Sequence, residues 1–391
     1  MIRPMRSLAF LPCLFVSVLH SPLAMAADTG GDSGAEYWVD GPADVQPGSN
    51  RDNPDVAMNA EGESLHVWHA FLDQTVRNDV FLRRFDSTGV PLADPVQVNA
   101  LIENDQFQPC IAVSTDGSFL VIWQSMEFDA VASGDRIWIR GQAFAANGSP
   151  VGDERLISAV STGYGSNISA DVAALTAGGY VVVWQQASGG GADTGAHIRA
   201  RRVGADGAPV GDSFVVNSAV NRSEINPAVS ELDNGGFLVV WSINGGNEII
   251  GRVFDAAGIA QGNDQPLHSN AFTSAKRRPE AVRGSDGRIL VLWEDEELAG
   301  DFGEIRGRMF SPTLSALGND FRINASSAGR QFAPRAGAYG SLGFLVLWES
   351  DLSVGDDNVP YSIQARRVTD NDAFGSPQVQ LNRWTADTQH Q

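Results

Sequence analysis

The sequence predicts an all-β fold, a six-bladed β-propeller of four-stranded antiparallel blades, on three observations. A segment closing on tryptophan recurs six times, ending at Trp68, Trp123, Trp184, Trp241, Trp293 and Trp348, and repeats of that length signal a solenoid or propeller. Fourteen residues separate each tryptophan from Pro54, Pro109, Ala170, Pro227, Pro279 or Pro334, without exception. Length changes fall after the tryptophan: the distances to the aligned positions Arg83, Gln142, Arg201, Arg252, Arg308 and Arg366 are 15, 19, 17, 11, 15 and 18.

The invariant stretch reads as a hairpin. In the second copy, residues 109–113 form a short strand, Thr115-Asp116-Gly117-Ser118 a tight turn, and residues 119–123 an apolar strand. Glycine supplies the positive φ that such turns require. A strand apolar on both faces fits one sandwiched between neighbouring sheets, whereas the third and fourth strands alternate and read as half exposed. Four strands per unit, inner to outer, make a propeller blade.

Taken in order, residues 1–26 read as a secretory signal peptide: Arg3 and Arg6, an apolar run from Leu8 to Leu19, and a small-x-small site at Ala24-Met25-Ala26. A flexible linker (27–35) and a strand at 36–40 follow, the latter expected to clasp the last blade's outer edge and cover it. The blades are placed at about 53–99, 108–158, 169–217, 226–268, 278–324 and 333–382, forming one domain from 36 to 384, with a disordered tail at 385–391. The expected destination is the periplasm or the exterior, with no membrane anchor, and the chain is expected to be monomeric.

Composition narrows the partners. The formal net charge is −20, and −22 without Arg3 and Arg6, which disfavours nucleic acid and anionic membranes, both of which need cationic neutralisation. Without the leader Cys110 is the only cysteine, so no internal disulfide can form. Lys276 is the only lysine.

Written out as Pro-x-Val-Ala, Gly-Phe-Leu-Val-Val-Trp, Ile-x-Ala-Arg-Arg-Phe-Asp and Phe-x-Val-Asn, the repeat resembles the propeller-type repeats of large exported bacterial proteins, which stand beside calcium-binding repeats and adhesive modules. The resemblance runs from Trp38 to about Trp384. It implies extracellular binding and brings no catalytic residues. Sialidase Asp boxes place the aromatic directly after the turn, whereas Asp116-Gly117 lies well before Trp123, so no sialidase activity is carried across.

Residues present in every blade are read as structural: the tryptophans pack between blades, and Arg83, Arg201, Arg252, Arg308 and Arg366 pair with turn or strand oxygens. The exceptions carry the functional signal. Blade one has Ser64 and His66 where other copies have apolar residues, and alternation puts both on one face with Trp68. The positions after the tryptophans are polar throughout: His69, Gln124, Gln185, Ser242, Glu294 and Glu349. Hairpin register sets them beside Asp55, Cys110, Asp171, Ala228, Glu280 and Arg335, at the edge from which the variable loops leave. Candidate ligand-binding residues are therefore Asp55, Asp171, Arg278, Glu280, Glu294, Arg335 and Glu349, with Trp138 as a stacking surface. Catalytic candidates are Glu280, Glu294, Glu349, His66 and His69. Asp295, Asp301, Glu304, Asp351, Asp356 and Asp357 are candidate calcium ligands, although neither acidic loop has the Asp-x-Asp-x-Asp-Gly spacing. No motif demands a cofactor.

Three functions fit. The first is an exported binding module whose acidic, loop-bearing face holds a glycan, peptide or surface protein, with or without calcium. The second is a carbohydrate-active enzyme, a glycoside hydrolase or polysaccharide lyase, using acids and histidine at the channel mouth. The third is a repeat scaffold without a small-molecule site.

Overall fold

The computed structural model describes residues 51–381 apart from 72–76, 130–133, 159–165, 188–194, 219–221, 270–273, 297–302, 327–328, 352–361 and 371–372. The expected leader, linker, clasp strand and tail lie outside the described residues. Six antiparallel sheets follow one another along the chain, each with its strands ordered as in the sequence. Blade two is representative: Gln106–Val113 pairs with Phe119–Asp129, that strand with Gly134–Phe144, and that in turn with Pro150–Leu156. First strands of successive blades lie against one another, which puts them innermost. The fold is a six-bladed β-propeller.

Hairpin turns behave as their composition requires. Gly117 sits at φ 81°, and a Cβ there would stand 3.0 Å from that of Ala146. In blade six a short 3-10 turn, Gly340–Leu342, takes the same place. That blade's outer position is filled by two short strands, Ala373–Phe374 and Val379–Gln380, both pairing with Ser362–Asp370.

Five apolar clusters join blades one to six in succession, and in each the tryptophan of the later blade packs on the earlier one. Phe119, Val121 and Trp123 point back at blade one, as do their counterparts elsewhere. The corresponding face of blade one carries Ser64, His66 and Trp68. Among the described residues no sixth apolar cluster joins blades six and one, and Trp68 on that face of blade one is nonetheless only 6% exposed. Polar stitches reinforce the other junctions. Arg201, Arg252 and Arg366 donate Nη1 to Ile157, Val216 and Ile323 carbonyls of the preceding blade at 3.0, 2.8 and 2.7 Å, the duty their recurrence predicted.

Each buried indole also needs an acceptor. Trp123, Trp184, Trp241 and Trp348 donate Nε1 to Gln106, Asn167, Glu224 and Gln331, each seventeen residues upstream, at 2.9, 2.9, 2.9 and 2.6 Å. Blade five has Lys276 at that position, which has no lone pair to offer. There the Trp293 indole turns to Asp295 Oδ2 at 3.4 Å, and the same oxygen lies 3.7 Å from Lys276 Nζ. The single lysine of the chain is thus half of a buried exchange. Burial pushes its pKa down, and Asp295 opposes that.

Candidate active site

The inner ends of the first strands do not follow a plain hairpin register. Every blade has a bulge just before its proline position. His69, Gln124, Gln185, Ser242, Glu294 and Glu349 therefore sit opposite Asp52, Phe107, Ile168, Ile225, Arg277 and Phe332, one place from an unbroken ladder, whereas Asp55, Cys110, Asp171, Ala228, Glu280 and Arg335, which the sequence reading set beside them, face Val67, Ile122, Val183, Val240, Leu292 and Leu347. The inserted residues bend the strand and turn the next side chain toward the adjoining blade.

That shift changes the reading of two candidates. Asp55 is 1% exposed and Asp171 4%, and both oxygens of each accept backbone N–H groups. Asp55 takes Val56 N at 2.9 Å and Ile111 N of blade two at 2.8 Å. Asp171 takes Val172 N at 2.8 Å and Val229 N of blade four at 2.7 Å. These carboxylates staple neighbouring inner strands together, where the sequence reading had placed them on an open rim. Cys110 does the same from blade two, donating Sγ–H to Ala170 O at 3.3 Å.

Blades five and six are different. Glu294 is fully buried, and its two oxygens are held by separate guanidinium groups: Arg278 Nη1 at 2.8 Å on Oε2 and Arg330 Nη2 at 2.6 Å on Oε1. Arg278 reaches it because the bulge sets the residue before Pro279 at φ 46°. Arg330 enters from the segment preceding blade six and also holds Glu296 at 3.1 Å, with its guanidinium 5.2 Å from the Phe332 ring centre. Glu280 Oε2 takes Arg335 Nη1 at 3.0 Å. Glu349 stands among these groups, half-buried. Burial raises its carboxyl pKa to about 7, with Glu294 adding to the rise and Arg278, Arg335 and Arg330 opposing it. The cluster gathers five predicted residues, Arg278, Glu280, Glu294, Arg335 and Glu349. Arg330 was missed, because it comes from a connection rather than from the repeat.

The histidines stand apart. His66 Nε2 lies 3.0 Å from Ser64 Oγ, its ring edge-on to Phe85 with centroids 4.9 Å apart. His69 is 6% exposed, with Nδ1 unpartnered among the described residues. Burial lowers both pKa values to about 4, opposed at His69 by Asp105. Neither reaches a carboxylate of the cluster among the described residues. Their folded pKa lies below the unfolded value, so the stability gained by keeping them neutral is complete above about pH 6.5 and drains away as pH falls toward 4. The thermal midpoint is expected to drop by several degrees over that interval, and by less in a His66→Phe, His69→Gln variant; equal losses in both proteins would sink this assignment.

Trp138, expected as a stacking surface, is 8% exposed and paired across from Ser125, so packing has claimed its faces. Of the acidic candidates, Asp295 serves Lys276 and Trp293, Glu304 lies 3.3 Å from Arg306 and 3.1 Å from Arg322, and Asp351 accepts the Arg330 backbone N–H. Asp301, Asp356 and Asp357 lie outside the described residues. Among those described, no three His, Cys, Asp or Glu side chains converge as metal ligands.

Similarity to solved structures agrees with the fold and stops there. The chain has a TM-score of 0.55 to a Dyadobacter fermentans protein of unknown function, at 13% identity over 79% of this chain and 92% of that one. For a Penicillium chrysogenum α-L-arabinanase complexed with arabinobiose the values are 0.51, 14%, 80% and 92%. An ulvan lyase of polysaccharide lyase family 25 gives 0.53, 8%, 83% and 81%. No family model and no curated protein matches the sequence, so the resemblance to exported adhesive repeats gains no support from either.

Proposed function

We propose that the protein is an exported carbohydrate-active enzyme, a glycoside hydrolase or polysaccharide lyase, working at the inner strand ends of blades five and six. One observation carries this reading: a carboxyl with its pKa raised to about 7, Glu349, beside a carboxylate gripped by two arginines, Glu294. Hydrolysing a glycosidic bond calls for a group that delivers a proton to the leaving oxygen near neutral pH while water or a carboxylate takes its place on the sugar, and a lyase needs the same proton donor with a base that removes the C5 proton of a uronate. Glu349 meets the first requirement; Glu294, fully buried with both oxygens on guanidinium groups, touches no sugar and acts through Glu349, its charge helping to keep that carboxyl protonated. Arg278 and Arg330 orient Glu294, and Glu280 with Arg335 fixes the neighbouring wall. The arabinanase and the ulvan lyase with the same fold make arabinan and ulvan the natural first substrates to try. A pure binding module would have no need of a carboxyl poised at neutrality, and a bare scaffold less still.

Turnover is expected to fall as pH rises through about 7, where Glu349 loses its proton. Glu349→Gln should lose about 10²–10⁴-fold in kcat with little change in KM, read as new reducing ends for a hydrolase or unsaturated uronate ends for a lyase. Undiminished turnover in both Glu349→Gln and Glu294→Gln would remove the assignment.

A further inference from the structure

The bulge that presents Arg278 to Glu294 is built six times. The residue before each proline position, namely Asn53, Gln108, Ser169, Asn226, Arg278 and Ala333, has φ of 55°, 49°, 51°, 51°, 46° and 50°. A Cβ is disfavoured in that region and glycine enters it freely. The chain uses glycine at positive φ in its turns, at Gly117 and Gly235 for example, yet in none of the six bulges. The backbone conformation is constant while the side chain differs between blades. Glycine would satisfy the backbone at all six, yet five carry a polar side chain, Ala333 being the exception, so five of the bulges place a polar group at the inner end of a first strand.

Their chemistry divides the ring. Blades five and six hold the charged cluster, while blades one to four present only amides and a hydroxyl. Gln124 Nε2 donates to Gln108 Oε1, and the Asn226 backbone N–H reaches Gln185 Oε1 of blade three at 3.4 Å. Gln108, Ser169, Gln185 and Asn226 are half-buried, each keeping an edge toward solvent. Asn53 is 8% exposed and its Oδ1 is buried, so it stands beneath the surface of the arc that these side chains form and is not one of its ligand-facing groups. Primary amides offer a donor and an acceptor on one planar group, the pairing that sugar hydroxyls complement.

We propose that this uncharged arc is a glycan subsite for neutral sugar residues, and that a bound chain crosses the mouth from the arc to Glu349. The proposal rests on the carbohydrate reading of the cluster and adds the substrate class. None of the arc's own side chains, Gln108, Ser169, Gln185 and Asn226, is a cation that would pair with a uronate carboxylate.

Glycine substitution separates binding from folding here, because the bulge backbone accepts glycine without strain. In a Glu349→Gln background, so that nothing is cleaved, calorimetry would compare arabinopentaose, xylopentaose and cellopentaose with a galacturonate pentamer. At least one neutral pentamer is expected to bind more tightly than the uronate. Gln108→Gly and Asn226→Gly should weaken that binding about tenfold or more while the thermal midpoint holds or rises, and Ala333→Gly, which removes only a methyl group, should bind as the parent does. Unchanged affinity in the glycine variants, preference for the uronate, or no binding of any pentamer would each overturn the proposal. Cleavage by the unmodified protein with unaffected glycine variants defeats the arc alone. Weakened binding in those variants without cleavage of any polysaccharide defeats the enzyme reading alone.

Discussion

Asp295→Ser is expected to lower the unfolding free energy by about 3–5 kcal/mol, the usual result of stripping one partner from a buried ion pair. Lys276 Nζ would keep the Ser274 carbonyl and hydroxyl, at 3.5 and 3.4 Å, and the charge of Asp320 but lose its paired carboxylate, and the Trp293 indole would lose its acceptor. Lys276→Gln alone should cost less, about 1–3 kcal/mol, because glutamine can accept the indole N–H while Asp295 keeps Arg306 at 4.0 Å. The double variant is the informative one. It reproduces blade six, where Gln331 accepts from Trp348 and donates Nε2 to Ser350 Oγ at 2.9 Å, and it should return to within about 1 kcal/mol of the parent, a coupling on the order of 3 kcal/mol. Urea unfolding of the four proteins measures this directly. Additive losses would mean that the lysine and aspartate are not a compensated pair and that the blade-five indole is held some other way.

The same pair marks how far the sequence could be read. Hairpin length, the tryptophan column and the position of the variable connections follow from periodicity and turn chemistry, and the six sheets have the predicted strand order. The column seventeen residues before each tryptophan was equally visible, with Gln106, Asn167, Glu224 and Gln331 as acceptors and two bases, Arg51 and Lys276, as the exceptions. Its meaning required knowing that the indole points back across that strand. The bulges were hidden for a different reason. Their left-handed residues are asparagine, glutamine, serine, arginine and alanine, so no glycine advertises the break, and the sequence reading set Asp55 and Asp171 beside the post-tryptophan residues where they in fact face Val67 and Val183. Convergence of Glu280, Glu294, Glu349, Arg278 and Arg335 survived that error because all lie at the same end of blades five and six. What register could not supply was the division of labour. Burial of Glu349 and the reach of Arg330 into the cluster are set by packing, which no spacing rule encodes.

Division of labour among the three glutamates makes a second strong prediction, this time about stability. The folded state holds the Glu349 pKa near 7, above the unfolded value near 4.5. Below about pH 4.5 the group is protonated in both states and costs nothing. As pH rises through the interval to 7 the unfolded chain releases its proton first, so the native state is progressively disfavoured, by about 3 kcal/mol once the interval is passed. Glutamine mimics the neutral acid and has no proton to lose. Glu349→Gln should therefore be more stable than the parent by that amount at pH 8 and nearly equal to it at pH 4, even as turnover collapses. Comparing variant with parent at each pH cancels the opposite slope contributed by His66 and His69. Glu294→Gln should move the other way, destabilising at pH 8 because Arg278 and Arg330 lose the charge they share. Gained stability alongside lost activity is the mark of a strained group kept for chemistry. If Glu349→Gln instead loses stability at pH 8, the carboxylate is paired in the native state, and the proton donor of the proposed reaction has to be sought elsewhere.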